Sequence, residues 1–452
     1  MLWGAAAAAL WRPARAADAD PEAETINDHL WKLYAGGPAA RAAAHAWLRA
    51  RGKPDVVAGL IDVMRLNFNH HDEIDRTLQA VTGAVAAGEP DREWFNWMRW
   101  QEAHPEIRPY QGYATFKAGL FGEFDFAFAD FLMAPPPHRI RIEEVTWGGV
   151  RKDGIPALVN PAMVAAAEAR YLTDDEPVFG VEIEGDARAY PFRIMDWHEM
   201  ANDVVGGVPV ALAYCTLCGA GILFDTRVEG RAEPFVFGSS GLLYRSNKLM
   251  YDRQTDTLWN QFSGRPVIGP LAAGEIKLKV LPVAIASWRE WRARHPMTRV
   301  LSLETGHVRD YTPGRPYGGY FASPDLMFPI ETKDGRLKPK DQVFGLRLDG
   351  REKAWPLAAF GAGKVINDRI GDTPLVLIGS ARERTVRAYR GNGRPFAKGA
   401  SAALLTQDGA SWRMEETALV GPDGARLDRL PGHVAYWFAW SGYLPEADFY
   451  RE

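Results

Sequence analysis

An internal repeat restricts the fold of this chain more than any other feature of its sequence. The segment from Val178 to Leu212 matches the segment from Val343 to Leu377 without a gap, and eleven of the aligned positions are identical. The similarity resumes further along the chain, where Trp288 aligns with Trp437. Because two copies of one segment adopt one fold, the repeat predicts a single module present twice in tandem.

Local sequence patterns indicate the secondary structure of each part of the chain. Short apolar runs at residues 178–183 and 208–214 alternate with Gly, Asp and Pro, which is typical of strands. Between residues 26 and 132 apolar residues recur at helical spacing, and three prolines at 135–137 cannot continue a helix. The predicted fold class is therefore α+β: a helical domain over residues 18–138, a β-rich copy one with the functional site over 139–330, and a degenerate copy two over 331–452.

The N-terminal segment, residues 1–17, predicts an export signal. An apolar run over residues 1–11 is too short to span a bilayer, and small-residue patterns typical of a cleavage site follow it. No later stretch reaches the roughly 18 uninterrupted apolar residues of a membrane helix. We therefore expect an exported protein, periplasmic or secreted, without a membrane span.

The charge balance gives no reason to expect a nucleic-acid partner. The chain has 53 Lys and Arg against 57 Asp and Glu, a formal net charge of −4 at pH 7. Proteins that bind nucleic acid typically present a basic surface. The expected partner is instead an unidentified small molecule or protein.

A comparison of the two copies separates architecture from function. Both copies keep residues that form turns, such as Gly180 with Gly345 and Asn202 with Asn367, and we assign these to the fold. A set of polar residues is kept only in copy one. His198 is replaced by Gly363, Glu199 by Lys364, Tyr214 by Gly379, Cys215 by Ser380 and Cys218 by Glu383. The loss of these residues as a set predicts one functional site, in copy one.

Cys215 and Cys218 are the two cysteines of the chain and form a Cys-x-x-Cys-Gly motif after a predicted strand. This spacing is typical of a metal knuckle, in which a tight turn directs two thiolates to one ion. Since a structural zinc site needs further ligands, we predict His198 as a third ligand, with Glu199 beside it as the candidate catalytic acid or base. The predicted cofactor is one transition metal ion, copper or zinc ahead of iron.

Two other functions stay open at this stage. A Cys-x-x-Cys pair can cycle between dithiol and disulfide, so Cys215 and Cys218 could belong to a thiol-disulfide oxidoreductase. Alternatively, the motif is purely structural and the chain is a non-catalytic binding or scaffold module. High metal occupancy, dithiol cycling or neither would distinguish the three functions.

Copy two lacks a segment that lies close to the predicted site. Val178 aligns with Val343, and further along Trp259 aligns with Trp412. The second pair lies closer together in the sequence than the first. Copy two is therefore shorter by about a dozen residues between these two aligned positions. Extra chain beside a retained site is a common way to build a pocket. We therefore predict the following lining residues: Tyr214, Ser240, Tyr244, Arg245, Asp252 and Arg253.

The sequence also resembles a known family. The runs EEVTWGGVRKDGIPAL, VEIEGDARAYPFRIMDWHEMANDVVGGVPVALAYCTLCGAGILFD and SGLLYRSNKLMYDRQTDTLWNQFSGRPVIGPL are similar to the bacterial and archaeal domain of unknown function 3179. The resemblance covers about residues 140–450. Thr216 stands where the family's version of the motif is expected to have Pro, and Ala220 where Thr is common. The resemblance implies that residues 140–450 form one family unit, but it implies no reaction, because the family has no assigned activity.

Overall fold

The computed structural model describes residues 20–67, 70–134, 136–331, 334–401 and 404–451. The predicted export signal lies outside these residues. The chain divides into two compact units. The first comprises the described residues up to Trp97 with His104–Lys117, and the second comprises Met98–Ala103 and the described residues from Ala118 onward. Among the described helices, none is long and apolar enough to cross a membrane.

The N-terminal part of the described chain is helical, as its apolar periodicity predicts. Asp20 caps the first helix, because its side chain accepts a hydrogen bond of 2.9 Å from the backbone N–H of Glu22. The fourth helix ends at Gly83, whose φ of +69° lies in the left-handed region that glycine adopts without strain. The helices are α1 (Pro21–Ala35), α2 (Pro38–Arg51), α3 (Val57–Leu66), α4 (His71–Thr82), α5 (Glu93–Ala103), α6 (Tyr113–Gly122) and α7 (Phe126–Leu132).

The chain beyond α7 is rich in strands, which confirms the predicted order of a helical region followed by a β-rich region. Its first half contains β1 (Val145–Trp147), β2 (Leu158–Val159), β3 (Met163–Ala165), β4 (Pro177–Ile183), β5 (Asp186–Pro191), α8 (Phe192–His198), β6 (Met200–Val205), β7 (Val208–Cys215), β8 (Ala220–Asp225), β9 (Phe237–Tyr244), β10 (Asn247–Asp252), β11 (Leu258–Asn260), β12 (Arg265–Ile268), β13 (Lys279–Leu281), β14 (Ala284–Ser287), α9 (Trp288–Arg294), β15 (Arg299–Leu301) and α10 (Gly318–Ala322). The strands pair in the orders β14-β4-β5-β15-β3, β13-β8-β7-β6-β2 and β1-β9-β10-β11-β12.

The second half contains further strands and a C-terminal helix. These are β16 (Gln342–Leu348), β17 (Arg351–Pro356), β18 (Lys364–Ile370), β19 (Thr373–Ser380), β20 (Thr385–Arg390), β21 (Ala397–Lys398), β22 (Leu404–Gln407), β23 (Ala410–Met414), β24 (Ala418–Val420), β25 (Arg426–Leu430), β26 (His433–Tyr436), α11 (Trp437–Tyr443) and β27 (Asp448–Phe449). They pair in the orders β26-β16-β17-β27 and β18-β19-β20-β25-β24-β23-β22-β21.

Corresponding strands of the two halves pair in the same register. In the β4–β5 hairpin Val178 lies opposite Pro191, and in the β16–β17 hairpin Val343 lies opposite Pro356. The β6–β7 and β18–β19 pairs agree in the same way. Each equivalence follows the alignment of the sequence repeat.

Residues that both halves share make equivalent contacts. The Asn202 side chain accepts from the backbone N–H of Phe237 at 2.8 Å and donates to its carbonyl at 2.9 Å, and Asn367 bonds Phe396 in the same way at 2.8 Å each. Asn202 therefore ties β6 to the start of β9, and Asn367 ties β18 to the residue before β21. This contact explains why both asparagines are kept where the polar residues of the site are not.

One buried apolar cluster contains residues of both halves. Phe179, Tyr190 and Leu212 belong to it from the first half, and Phe344 and Leu377 from the second. All five side chains are at most 2% exposed. The apolar cores of the two halves are therefore continuous, and the strands that bear the site rest on this shared core.

Candidate functional site

Cys215 and Cys218 lie at the turn that joins β7 to β8. Cys215 is the last residue of β7 and pairs with Ala220, and the Cys218 N–H donates back to the Cys215 carbonyl at 3.2 Å. Gly219 completes the turn with a φ of +59°, in the region that favours glycine. The predicted strand-turn-strand is confirmed. Both cysteines are buried free thiols.

The β9–β10 hairpin brings a second set of residues to the two thiols. Its two-residue turn is formed by Arg245 and Ser246, with φ of +47° and +60°, and β10 then begins at Asn247. Positive φ at both turn positions is the geometry of a type I′ turn, which matches the twist of the flanking strands. This hairpin belongs to the interval for which the second half has a shorter aligned segment.

An amide network fixes the surroundings of Cys218. The Gln261 side chain donates to the carbonyls of Ala213 and Ala220 at 2.7 and 2.9 Å and accepts from Asn247 at 2.7 Å. The Asn247 amide also donates to the Cys218 sulfur at 3.4 Å. Gln261 therefore links the two strands that flank the turn to the side chain that contacts Cys218.

The two thiols have unequal proton affinities. Burial and the Glu199 carboxylate raise the pKa of Cys215, but the hydrogen bond from the Cys218 thiol, the backbone N–H of Lys248 and the Lys248 ammonium together bring that pKa below its ordinary value. Burial and the neighbouring Cys215 sulfur raise the pKa of Cys218 well above its ordinary value. Its single S–H can point to Cys215 or to the Ser246 carbonyl, which lies 3.4 Å away. Cys215 is therefore the favoured thiolate and Cys218 its proton-bearing partner.

A buried ion pair lies beside Cys215. The Lys248 ammonium donates to the Glu199 carboxylate at 3.1 Å, and both side chains are less than a tenth exposed. The other Glu199 oxygen accepts from the Thr216 hydroxyl at 2.8 Å and from the Tyr317 hydroxyl at 2.9 Å. Thr216, which departs from the proline expected in the motif, thus supplies a donor that proline lacks. Glu199 is held by three donors, as a buried carboxylate requires.

A small cavity connects these groups. Its volume is about 50 Å³, and its polar wall is formed by Glu199, Cys215, Ser239, Lys248 and Tyr317. The rest of the wall is mostly apolar and includes Leu217, Leu242, Met327 and Phe328. A space of this size has room for one or a few molecules as small as water. Cys215 lines the cavity, so its sulfur is the thiol that a small molecule there would meet.

His198 does not join the two cysteines. Its Nδ1 lies 2.8 Å from the Pro156 carbonyl, which can only accept, so this nitrogen carries the proton; Nε2 then accepts from the Tyr311 hydroxyl at 2.7 Å. Burial lowers the pKa of His198 to about 4, which keeps the ring neutral at pH 7. Both ring nitrogens are thus engaged away from the thiols, and the predicted donor set of His198, Cys215 and Cys218 does not fit one metal ion. Across the described ranges, no group of three or more His, Cys, Asp or Glu side chains is placed to hold a metal ion.

Tyr214 lies at a larger cleft on the other side of the turn. This cleft has a volume of about 700 Å³, and its wall includes Tyr214, Gly219 and Asp196. Tyr214 also packs edge-on against Phe179, with ring centroids 5.0 Å apart. Tyr214 was predicted to line a pocket, and the cavity that it lines in the structure is this cleft.

The two arginines predicted to line a pocket form ion pairs and line neither cavity. Arg245 contacts Glu144 at 2.5 Å, and Arg253 contacts Asp153 at 2.9 Å. Each arginine thereby ties the inserted hairpin to the segment before β2. Their charges are matched within the protein.

The remaining three predicted lining residues contact the protein's own backbone and side chains and also line neither cavity. Ser240 donates to the Leu249 carbonyl at 2.5 Å, and the Tyr244 carbonyl accepts from the Tyr443 hydroxyl. Asp252 accepts from the turn residue Thr255 and from Trp259 Nε1. These three residues hold the inserted hairpin in shape.

Three residues of the site were not predicted from the sequence: Lys248, Gln261 and Tyr317. A signal existed for Lys248, because it lies in the interval that is shorter in copy two. Gln261 follows that interval, and Tyr317 lies in the connection before β16, so neither position belongs to a recognisable motif. The spatial convergence of three distant segments is what places them together.

The fold and the site define a β-rich protein with a buried, asymmetric dithiol and an adjacent carboxylate–ammonium pair. The chain belongs to the family described as Protein of unknown function (DUF3179), whose profile matches residues 152–447. The match contains both cysteines, Glu199, Lys248 and Tyr317. Searches of curated proteins and of solved structures gave no match.

Proposed function

We propose that this chain is a redox-active dithiol protein that cycles between the free thiols of Cys215 and Cys218 and a disulfide between them. The observation that carries the proposal is the asymmetry of the pair. Cys215 has donors that stabilise its thiolate, whereas Cys218 keeps its proton and lies within hydrogen-bonding contact. A nucleophilic thiolate beside a resolving thiol is the arrangement that thiol-disulfide chemistry uses.

The size of the cavity beside Cys215 supports a small oxidant of the hydroperoxide class. The Cys215 thiolate attacks one peroxide oxygen, the O–O bond breaks, and the leaving oxygen takes a proton, giving a sulfenic acid and water or an alcohol. Lys248 lines the same cavity and is positioned to supply that proton. The Cys218 sulfur then attacks the Cys215 sulfur, its proton and the expelled hydroxide leave as water, and the disulfide forms. An external dithiol restores both thiols by exchange.

The burial of the thiols supports small-molecule partners rather than a protein disulfide. Cys215 is 1% exposed and Cys218 is fully buried, so a folded protein could not bring a disulfide to either sulfur. The proposal of an exported protein rests on the apolar N-terminal run of the sequence, and an oxidising compartment would suit a redox-active pair. The transition metal ion predicted from the sequence stays a prediction, which metal analysis of the purified protein would test.

We also infer that the two β-rich halves arose as tandem copies of one module. Supporting observations are the shared strand order around β4–β5 and β16–β17, the common register and the equivalent contacts of Asn202 and Asn367. On this proposal, copy two has lost the thiol site and kept the architecture.

Trapping of the sulfenic acid tests the proposed function. In Cys218→Ser the resolving thiol is absent, so hydrogen peroxide should convert Cys215 to a sulfenic acid that dimedone labels in peptide mass spectra. In Cys215→Ser, Cys218 should stay unlabelled because its proton is retained. Labelling of Cys218 instead of Cys215, or of neither, would contradict the proposal. Parallel elemental analysis shows whether metal rather than oxidation accounts for any protection of the thiols.

A further inference from the structure

We propose that the larger cleft, which Tyr214 and Asp196 line, is a second ligand site, separate from the small cavity, and that it binds a monoanionic organic molecule with an apolar or aromatic body. Its volume of about 700 Å³ is typical of sites for small organic ligands. Both halves of the β-rich region contribute to its wall. The inference does not rest on the redox function proposed for Cys215 and Cys218.

The cleft has a buried carboxyl group without a full set of partners. Asp196 lies on α8, is 4% exposed and lines the cleft. The Tyr214 side chain hydrogen-bonds the carboxyl group, but Oδ1 has no hydrogen-bond partner in the described part of the protein. A buried polar atom without a partner is costly, and a ligand that bonds to it removes that cost.

A cationic side chain lies on the same wall. Arg384, in the turn between β19 and β20, places its guanidinium 5.7 Å from the centre of the Phe192 ring. Among the described residues it forms no salt bridge, whereas Arg193 on the same wall is paired with Glu176 at 2.6 Å. Arg384 is therefore the guanidinium that is available to an anionic group, and arginine is well suited to carboxylates and sulfonates.

The groups around Asp196 keep its carboxyl protonated near neutral pH. Burial raises the pKa of Asp196 to about 8; Glu199 acts in the same direction, while Arg384 and the Tyr214 hydrogen bond oppose it. A neutral carboxyl can donate its proton to an anion beside Arg384. Above pH 8 the same group becomes negative and repels that anion.

The remaining wall selects for an apolar body. Phe192, Ile285, Leu357 and Tyr436 line the cleft together with several prolines and small residues. Apolar and aromatic side chains bury a hydrocarbon or ring, while the few polar groups fix its orientation. Lys340 also lines the cleft, but its ammonium donates to the backbone carbonyls of Tyr320 and Ser323. The Arg384 guanidinium is then the cation available to a ligand, and it matches one negative charge better than a multiply charged phosphate.

Fluorescence titration with 8-anilinonaphthalene-1-sulfonate, an aromatic monoanion, tests the site. The protein should bind one equivalent saturably at pH 7, and Arg384→Gln should weaken binding by about tenfold or more through loss of the charge-assisted contact. Arg382→Gln is the matched control, because Arg382 lies in the same turn but does not line the cleft and its side chain is 86% exposed. Equal affinity in Arg384→Gln and Arg382→Gln would overturn the proposal.

The pH dependence of binding tests the role of Asp196 separately. The affinity of the unmodified protein for the probe should fall as pH rises through about 8, and Asp196→Asn should abolish that fall because an amide stays neutral. An unchanged pH profile in Asp196→Asn would remove Asp196 from the site.

A third variant blocks the cleft sterically and leaves its polar groups unchanged. Ala381→Trp adds a large side chain to the cleft wall at a position that is partly exposed, and it should block the probe while the circular dichroism spectrum is unchanged. Undiminished binding in a folded Ala381→Trp protein would show that the probe binds elsewhere, and would overturn the assignment.

Discussion

At the scale of single residues, the reactivity of Cys215 depends on what adjoins its sulfur rather than on the cysteine motif itself. Cys215 and Cys218 are three positions apart and equally buried, yet their pKa values move in opposite directions. The difference arises first because Cys215 accepts a hydrogen bond from the Cys218 thiol, and second because Lys248 adds a backbone N–H and a positive charge beside Cys215. A positive charge near a thiol favours the thiolate.

Replacement of Lys248 by methionine should therefore raise the pKa of Cys215. Loss of a cation within a few ångströms typically changes a pKa by about one unit or more. Ultraviolet thiolate absorbance measured against pH would report the midpoint. Lys353→Met is the matched control, because Lys353 also forms a largely buried ion pair, with Asp368 at 2.8 Å, in the half that contains no cysteine. The same midpoint in both variants would contradict the assigned role of Lys248.

His198 should make the protein less stable in acid. Its folded-state pKa of about 4 lies below the ordinary value of 6.5, so between these pH values the unfolded chain binds a proton that the folded chain excludes. The free energy of unfolding should fall as pH drops through this window, by up to about 1.4 kcal/mol per pH unit from this residue. Urea unfolding of His198→Gln at pH 4 to 7 should show a smaller slope. An unchanged slope would mean that His198 takes up its proton without penalty.

The site residues were partly predictable for reasons that differ from residue to residue. Cys215, Cys218 and Glu199 were found because the second half has other residues at the aligned positions, and the structure brings them to one place. His198 was grouped with them because the second half has Gly363 at the aligned position and because a metal site with two thiolates needs a further ligand. However, Glu199 adopts a φ of +53° after the end of α8, and the two side chains have separate partners, Tyr311 for His198 and Lys248 for Glu199. Replacement of both residues in the second half therefore did not imply that their side chains have common partners.

At the scale of secondary-structure elements, the β9–β10 hairpin distinguishes the half that has the site from the half that lacks it. Its turn places Ser246, Asn247 and Lys248 against the two thiols. The turn has a local cost, since Ser246 adopts a φ of +60° and its buried hydroxyl has no hydrogen-bond partner in the described protein. The hairpin thus serves the site at some expense of stability.

Replacement of Ser246 by glycine should stabilise the protein. A non-glycine residue in the left-handed region costs about 1 kcal/mol or more, and glycine avoids that cost. The midpoint of urea unfolding should rise. Ser246→Ala removes the hydroxyl but keeps the Cβ atom, so it separates the cost of the unpaired hydroxyl from the cost of the positive φ. It should stabilise the protein less than Ser246→Gly does. A loss of stability in Ser246→Gly would show that the serine side chain holds the turn.

At the scale of the whole molecule, the two β-rich halves share one apolar core. The sequence repeat predicted the two halves, and the equal registers of β4–β5 and β16–β17 agree with its alignment. The repeat could not predict how many strands each half adds outside the repeated segments. The eight-stranded sheet has β18 and β21 as its edge strands. It also contains β22 to β25, which lie in a stretch where the two halves have weak sequence similarity. The pairing of strands in such a stretch depends on tertiary packing, which cannot be predicted from the repeat in a single sequence.

A core substitution in copy two should therefore weaken the half that has the site. Leu377 is fully buried in the shared cluster, and Leu377→Ala should cost about 2–5 kcal/mol. The midpoint of thermal unfolding should be lowered by the same amount whether it is followed by calorimetry or by the reaction of Cys215 with a thiol reagent. Val204→Ala is the control, since Val204 is 44% exposed and its truncation should cost about 0.5 kcal/mol or less. Thiol exposure that keeps its original midpoint in Leu377→Ala would mean that the two halves unfold independently.

A thiol count through one redox cycle tests whether Cys215 and Cys218 form the reversible redox pair that we propose. Each treatment is applied to the folded protein, and the free thiols are counted after denaturation. The count should be two in the reduced form, none after hydrogen peroxide, and two again after an external dithiol. Peptide mapping of the oxidised form should contain the Cys215–Cys218 disulfide. Two thiols that persist through oxidation, or oxidation that no dithiol reverses, would contradict the account.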